Sequence, residues 1–461
     1  MLEGSKYGTI VRDAIRRIDE GEWKAGVRLP SVRETAARNG CSINTALRAY
    51  EALQREGYVY AVPKSGFYVA SGPDRPASRS VDSIPFDAAS PDEFTMPYRE
   101  FFDYMTKAVF QRKGALFDYG DPQGMSSLRH ALAKHLQDVG LFVGERRVFV
   151  VSGSQQALQL LALMPFPNGK TKVLVEQPAY HGMLRVLRAG GVPAIGLERT
   201  ERGVDLEALE RHFRTESIKF FYTASRFHNP TGWSYGKTQR ESIARLAKKY
   251  DVYIVEDDYL ADLAFGAKEE PIAAADGCDR VVYVKSFSKT MLPGMRLGAA
   301  VLPQPLAETF LEHKRCADFG TSSLSQNALE LYLANGMFDV HRRNVRDTYR
   351  ARLAELVRVC REALPASLTL TAPAGGIFAA LSLPRTLPEA EFSLALQAAG
   401  VPMVPGERFY LPDGPHRDSL MRVSIIRTDE AAIRRGVERV AAVASRLLRT
   451  SAKERNGGLE S

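Results

Sequence analysis

Apolar residues at Ile10, Val11, Ala14, Ile15 and Ile18 recur at three- and four-residue intervals, the spacing that lays one stripe along a helix. This pattern predicts a helix over Tyr7 to Asp19 that Gly21 stops. Ser31 with Glu34 three residues on is a capping-box pair and opens a second helix, which ends near Asn39-Gly40. A third helix follows from Ile43 to Arg55, with Ala46, Leu47, Tyr50 and Leu53 on its buried face and Gly57 closing it. The period then changes. Tyr58 to Val62 and Gly66 to Ala70 are short β-like runs joined by Pro63-Lys64-Ser65, which predicts a hairpin. Three helices and a hairpin make a winged helix of residues 1–70.

Residues 71–85 are polar, with three prolines, and are expected to be a linker. Residues 86–450 alternate helical segments with apolar runs at Val148 to Val151, Lys172 to Val175, Lys219 to Thr223, Val252 to Val255, Arg280 to Val284 and Leu297 to Leu302. Such alternation predicts an α/β domain with a large, mainly parallel sheet covered on both faces. A long charged helix is expected around Asn335 to Leu364, and from about residue 340 a small C-terminal α+β subdomain takes over, its strands lying within Leu368 to Ile426. Residues 451–461 are expected to form a polar, frayed tail.

Composition narrows the class without deciding it. The chain has 461 residues, 45% hydrophobic and 25% charged, with a net charge of +8. That charge permits nucleic-acid contact but is modest for the length. Cys41, Cys278, Cys316 and Cys360 are far apart and show no metal-ligand spacing, so neither a disulfide framework nor a metal site is indicated. The longest uncharged stretch, Val148 to Gly169, is interrupted by Ser152-Gly-Ser-Gln-Gln and two prolines, against a membrane span. A cytoplasmic protein is expected.

Within the first seventy residues, R-L-P-S-V-R-E-T-A, S-I-N-T-A-L-R-A-Y-E-A-L-Q-R-E-G-Y and K-S-G-F-Y-V occur in order. Over Tyr7 to Ala70 the chain resembles the GntR-type winged helix. The resemblance implies a third helix whose N-terminal residues face base edges in the major groove, with a wing on the backbone. Ser42, Asn44 and Thr45 are then the base readers, and Arg33, Arg48 and Lys64 the phosphate contacts. Ile43 stands where that family often has an arginine.

Six further elements carry a second resemblance, to fold-type-I class I/II aminotransferases, from about Asp87 to Val440. Ser152-Gly-Ser154-Gln155-Gln-Ala follows a strand and starts a helix, a place that favours phosphate. Gln177-Pro-Ala-Tyr180 places an aromatic after the next strand. His228-Asn229-Pro-Thr-Gly and Val255-Glu-Asp257-Asp-Tyr259 end two others, Ser286-Phe-Ser288-Lys289 precedes Pro293-Gly-Met-Arg296, and Met421-Arg422-Val-Ser lies near the C-terminus. The resemblance implies a pyridoxal 5'-phosphate cofactor held as a Schiff base by Lys289. It places Tyr180 on the pyridine ring, Asp257 at the ring nitrogen, and Asn229 and Tyr259 at the phenolate oxygen. Ser154, Gln155, Ser286, Ser288 and Arg296 would bind the phosphate, and Arg422 would clamp an α-carboxylate. Tyr119, in Tyr119-Gly-Asp-Pro-Gln-Gly, would reach the phosphate of the neighbouring subunit of a homodimer.

Together the modules resemble the MocR subgroup of GntR regulators. That implies a pyridoxal-phosphate-dependent transcription regulator binding operator DNA and sensing an amino acid or amine through the Lys289 aldimine, which would favour one arrangement of the two DNA heads. Two other readings stay open. One is an active aminotransferase carrying a DNA-binding domain, since the Asn229, Asp257, Tyr259, Lys289 and Arg422 set is intact. The other is a cofactor buffer or structural dimer.

Overall fold

Ser31 accepts the N–H of Glu34 at 3.2 Å, and the Glu34 carboxylate accepts the N–H of Ser31 at 2.8 Å, so the capping box starts helix α2 (Val32–Arg38) as expected. The computed structural model describes residues 6–19, 21–55, 58–62, 65–70, 83–264, 270–371, 373, 375–412 and 419–457. The chain divides into two units, Met1–Val81 and Asp82–Ser461.

In the first unit, α2 is flanked by helices α1 (Lys6–Asp19) and α3 (Ile43–Arg55), followed by strands β1 (Val59–Val62) and β2 (Gly66–Val69) paired antiparallel. Ile10, Ala14 and Ile18 of α1 pack on Ala46, Ala49, Tyr50 and Leu53 of α3. The face of α3 is turned slightly from the expected one: Ala49 is fully buried and Leu47 only half-buried. Two alanines at the contact let the helices approach closely, which pushes the bulkier leucine to the rim. Arg28 adds an isolated antiparallel bridge to Tyr68.

Tyr50 ties α3 to the entry of α2. Its hydroxyl donates to the carbonyl of Pro30 at 2.8 Å and lies 2.7 Å from the hydroxyl of Thr35. Tyr50→Phe takes this partner from the buried Thr35 hydroxyl and the half-buried Pro30 carbonyl, and the expected cost to this unit is about 1–3 kcal/mol. Thermal unfolding of the full chain with and without this substitution measures it.

The second unit is built on an eight-stranded sheet of β3 (Val148–Val151), β4 (Lys172–Gln177), β5 (Ala194–Thr200), β6 (Gly203–Val204), β7 (Ile218–Thr223), β8 (Tyr253–Asp257), β9 (Val281–Ser286) and β10 (Gly298–Val301). Their order is β3-β10-β9-β8-β7-β4-β5-β6. The pairs among β4, β5, β7, β8 and β9 are parallel, while β10 runs antiparallel between β3 and β9. Successive residues point to opposite faces. Val148, Val150, Leu174, Phe221, Ile254 and Tyr283 enter one core, and Phe149, Val151, Val173, Phe220, Val255 and Val284 the other. Burial on both faces explains why these strands are nearly continuous apolar runs. β5 and β6 were not in the sequence expectation, because β5 lies toward the sheet's edge and Ala194–Thr200 mixes polar and apolar residues.

A third core joins the 27-residue helix Met337–Ala363 to an antiparallel sheet of β11 (Thr369–Leu370), β12 (Phe378–Ser382), β13 (Val404–Pro405) and β14 (Leu420–Ser424), ordered β11-β12-β14-β13. Two boundaries differ from expectation. Ile84 is buried in this core and donates its N–H to Gly400 at 2.8 Å, so the chain has joined the second unit before residue 86. The last helix, Glu430–Gly457, runs on into the segment expected to be frayed. Among the described residues, no helix is long and apolar enough to cross a membrane.

A candidate cofactor pocket and nucleic-acid interface

Because β10 is antiparallel to both β3 and β9, the C-terminal ends of β3, β4, β7, β8 and β9 share one edge. Ligands of open α/β sheets bind outside that edge. There Ser154, Gln155, Tyr180, His181, Asn229, Asp257, Tyr259, Ser286, Ser288, Lys289 and Arg296, with Ala89, Phe378 and Arg422, line a cavity of about 320 Å³. Eleven residues named from the sequence therefore meet in one place. Ala89, His181 and Phe378 were not foreseen: Ala89 and Phe378 are drawn in by tertiary packing, and His181 follows Tyr180 just outside its motif.

Three consecutive acids end β8, and the backbone assigns each a different task. Glu256 accepts the N–H groups of Ile272 and Ala273 at 2.8 and 2.9 Å. Asp258 pairs with the buried Arg226 and accepts from Tyr283 at 2.7 Å. Only Asp257 faces the cavity. One of its oxygens accepts from Tyr222 at 2.9 Å, while the other is buried with no partner. Burial pushes the Asp257 carboxyl up to about 7, against the hydrogen bond from Tyr222, with the charge of Asp258 adding to the rise.

Lys289 lies half-buried and donates to the carbonyl of Ala89. Burial, then the positive charges of Arg422 and Arg296, bring its amine down to about 8, opposed by Asp257. An amine in that range is a competent nucleophile near neutral pH. Arg296 takes a left-handed backbone, φ 52°, and donates to Ser152 O at 3.2 Å beside the start of the helix Ser154–Leu163. Gly153 precedes that helix with φ 80°, and a Cβ there would come within 2.6 Å of the Arg296 guanidinium. The glycine thus keeps open a space between a helix start without a side-chain cap and an arginine.

Arg422 is buried on β14. It donates to Asp87 O at 3.0 Å and to the side-chain oxygen of Asn229 at 3.4 Å, and its Nε has no partner. Asn229 is therefore turned with its NH₂ available for another acceptor. Tyr259 donates to Phe227 O at 2.7 Å, so in this arrangement its one hydrogen is committed to the backbone. Tyr180 donates to Gln155 at 3.3 Å. The loop that carries Asn229 is held by Glu176, which accepts from Thr223 at 2.6 Å and from Ala224 N at 3.2 Å and pairs with Arg199. Glu176 is a positioning residue that the motifs did not reveal.

Tyr119 is the exception. It is 88% exposed, lies against the Phe319 ring at 5.8 Å, and is not in its own chain's pocket. Elsewhere His135, Asp138 and Asp339 come near one another. Arg342 bridges both carboxylates at 3.0 and 2.9 Å and His135 bonds Asp262 at 3.2 Å, which accounts for that group without an ion.

On the first unit, Arg33, Asn44 and Arg48 are exposed and Thr45 is half-buried. Ser42 accepts the N–H of Thr45 at 3.1 Å and its hydroxyl lies 2.8 Å from that of Thr45, so it caps α3. Ile43 is 54% exposed at the head of α3, an apolar side chain facing outward among polar ones. Lys64 lies outside the described residues.

A partly neutralised amine opposite a buried carboxylate oxygen lacking a donor is the chemistry of a pyridoxal-phosphate protein, here set on an aminotransferase-like sheet. The chain belongs to the class I and II aminotransferase family over residues 98–440 and, over residues 6–69, to the gntR family of bacterial regulatory proteins. It is a GntR-type regulator of the MocR subgroup fused to an aminotransferase-like domain, and pyridoxal 5'-phosphate is its cofactor. It is 41% identical over 437 residues to the uncharacterized HTH-type transcriptional regulator YcxD of Bacillus subtilis, covering 94% of this chain and 98% of that protein. With the probable rhizopine catabolism regulatory protein MocR of Rhizobium meliloti it shares 27% over 448 residues, covering 90% and 89%. The solved α-aminoadipate aminotransferase LysN of Thermus thermophilus, complexed with N-(5'-phosphopyridoxyl)-L-leucine, matches with a TM-score of 0.73 at 27% identity, covering 80% of this chain and 94% of that one.

Proposed function

We propose that the protein is a cytoplasmic, homodimeric transcription regulator that binds an operator in double-stranded DNA and senses an amino acid or amine in its cofactor pocket. The observation that carries this reading is the convergence of Lys289, Asp257, Arg296 and Arg422 on one cavity in a chain that also bears the gntR module. When bound, the cofactor supplies an aldehyde for amines and a ring that withdraws electrons from them. Lys289 is the amine that attaches it. Ser154, Gln155, Ser286, Ser288 and Arg296 receive its phosphate, and the unpartnered oxygen of Asp257 accepts from its ring nitrogen. Tyr180 would cover the ring, Asn229 would donate to the phenolate with Tyr259 behind it, and Arg422 would take the effector's α-carboxylate. In the first unit Asn44, Thr45 and the Ser42 cap present the reading edge of α3 to bases, and Arg33, Arg48 and Lys64 take phosphates.

Exposed Phe102, Phe110, Phe117, Tyr119 and Phe319, between 63% and 88% accessible, with Tyr119 against Phe319, support a second copy covering exposed aromatic surface. Tyr119 of the partner subunit then completes the phosphate site. The reading is tested by footprinting the DNA upstream of the protein's own gene with and without pyridoxal phosphate and a panel of amino acids. A protected segment whose affinity shifts with cofactor and with one amino acid is the expected result, and an unchanged footprint in cofactor-free protein rejects it. The intact Asn229, Asp257, Tyr259, Lys289 and Arg422 set favours a second reading, an active aminotransferase, whose mark is pyridoxamine phosphate formation with turnover on an oxo acid.

A further inference from the structure

We propose that Asp318 and the buried Lys314 are positioning residues for the cofactor's phosphate, acting through the turn Ser152–Gly153. This rests on the reading of Ser154 and Arg296 as phosphate ligands and specifies what holds them in register.

The helix Ser154–Leu163 begins on Gly153, which has no side chain to cap the first turn. The leading N–H groups of a helix have no partner within it, so here their direction is set from outside the helix. Ser152, the residue before the glycine, is held at three points. Its N–H donates to Gln156 Oε1 at 2.8 Å, its hydroxyl donates to Asp318 Oδ2 at 2.8 Å, and its carbonyl accepts from Arg296 at 3.2 Å. The Gln156 side chain also bonds the Asp318 carboxylate, so Ser152, Gln156 and Asp318 form a closed ring around the helix start. The third bond ties Arg296 to the same residue. Ser152 therefore sets the orientation of both halves of the phosphate cradle, the helix start and the guanidinium.

Asp318 ends the helix Gln304–Asp318, and Lys314 lies one turn before it. Lys314 is wholly buried and donates to Asp318 Oδ1 at 2.8 Å. An ion pair that only closed the helix would need one carboxylate oxygen. Here the second oxygen is turned to Ser152, far away in the chain. Thr321 joins the group, its hydroxyl 3.3 Å from that of Ser152 and 3.5 Å from Lys314 Nζ. Against burial, the hydrogen bonds from Lys314, Gln156 and Ser152 hold the Asp318 carboxyl below its ordinary value. It is therefore ionised at neutral pH, and an ionised carboxylate accepts at both oxygens, whereas a protonated one carries a hydrogen of its own. Burying an ammonium is costly, and in this place it keeps both oxygens of Asp318 available to Ser152 and Gln156.

The test compares how tightly the cofactor-free full chain takes up pyridoxal 5'-phosphate and pyridoxal, followed by visible absorption. Both offer Lys289 the same aldehyde and differ only in the phosphate, so the ratio of their affinities reports the cradle. Asp318→Asn is expected to weaken pyridoxal phosphate at least about tenfold, as loss of one charge-assisted hydrogen bond would, and to leave pyridoxal within about twofold of wild type. Ser152→Ala removes the same bond from its other end and should give the same change, which keeps the test decisive if Asp318→Asn does not fold. Lys314→Met added to Asp318→Asn should lower the ratio no further, because the lysine acts through that carboxylate; a further loss overturns its share of the proposal. Equal loss of both ligands, or an unchanged ratio in Asp318→Asn and Ser152→Ala, overturns the whole, since a purely structural ion pair does not distinguish the two ligands. Arg296→Ala separates the readings. If it collapses the ratio while the other two variants keep it, the phosphate site stands and only this proposal falls. If the ratio survives Arg296→Ala, the reading of the phosphate site falls as well.

Discussion

Lys289→Ala is expected to remove covalent cofactor attachment completely: borohydride will no longer fix pyridoxal phosphate to the chain, and the visible band of the loaded protein will disappear. Operator affinity should then stop responding to amino acids, although the gntR module is untouched. The rate of attachment to the wild-type, cofactor-free protein carries a finer test. A lysine attacks only as the neutral amine, and burial with two neighbouring arginines lowers Lys289 to about 8. The folded value lies below the ordinary 10.5, so the reactive form is already abundant where a solvated lysine is almost wholly protonated. Attachment should accelerate about tenfold per pH unit up to pH about 8 and level off above it. A midpoint near that of a surface lysine would show that the pocket does not tune this amine. Arg422→Ala removes the larger charge contribution and should move the midpoint upward.

Much of this was legible in the sequence, and the parts that were not share a physical origin. Strands buried on both faces announce themselves as apolar runs, which is why six strands of the large sheet stood out. Turn-borne motifs such as Asn229-Pro-Thr-Gly and Ser286-Phe-Ser-Lys289 fix local chemistry, and they meet because each follows a strand on one sheet edge. β5 was missed because a strand near the edge needs no such run. Phe378 and Ala89 were missed because they come to the pocket from segments far along the chain from its motifs, and His181, next to Tyr180, because a helix-opening histidine carries no motif of its own. Glu176 is invisible for another reason: a single acid inside Lys172–Gln177 reads as the polar end of a strand until Arg199, Thr223 and His228 surround it.

The triplet Glu256-Asp257-Asp258 shows the limit most clearly, and it yields the second large prediction. Motif position singled out Asp257, but only the structure explains why its neighbours are unavailable: one is spent on two backbone N–H groups and the other on Arg226. Asp257 is left buried, short of one donor, with its carboxyl raised to about 7. Its folded value lies above the ordinary 3.8, so between these two values the unfolded chain releases a proton that the folded, cofactor-free protein retains. Stability contributed by this group is whole below pH about 4 and is lost as pH rises through about 7, by about 4 kcal/mol in all. Asp257→Asn removes the titration. The cofactor-free variant should therefore melt higher than wild type at pH 8 and no higher at pH 4. The loaded protein should behave in the opposite sense, because in the proposed arrangement the Asp257 carboxylate would accept a hydrogen bond from a protonated ring nitrogen and an amide would do so far less well. Loss of one charge-assisted hydrogen bond, about 1.5–3 kcal/mol, corresponds to roughly 10- to 100-fold weaker cofactor retention. Calorimetric melting of both forms at the two pH values, with cofactor release followed by absorption, measures both halves. A variant that melts lower at pH 8 without cofactor, yet holds the cofactor as tightly as wild type, would mean that Asp257 is a structural acid like its two neighbours.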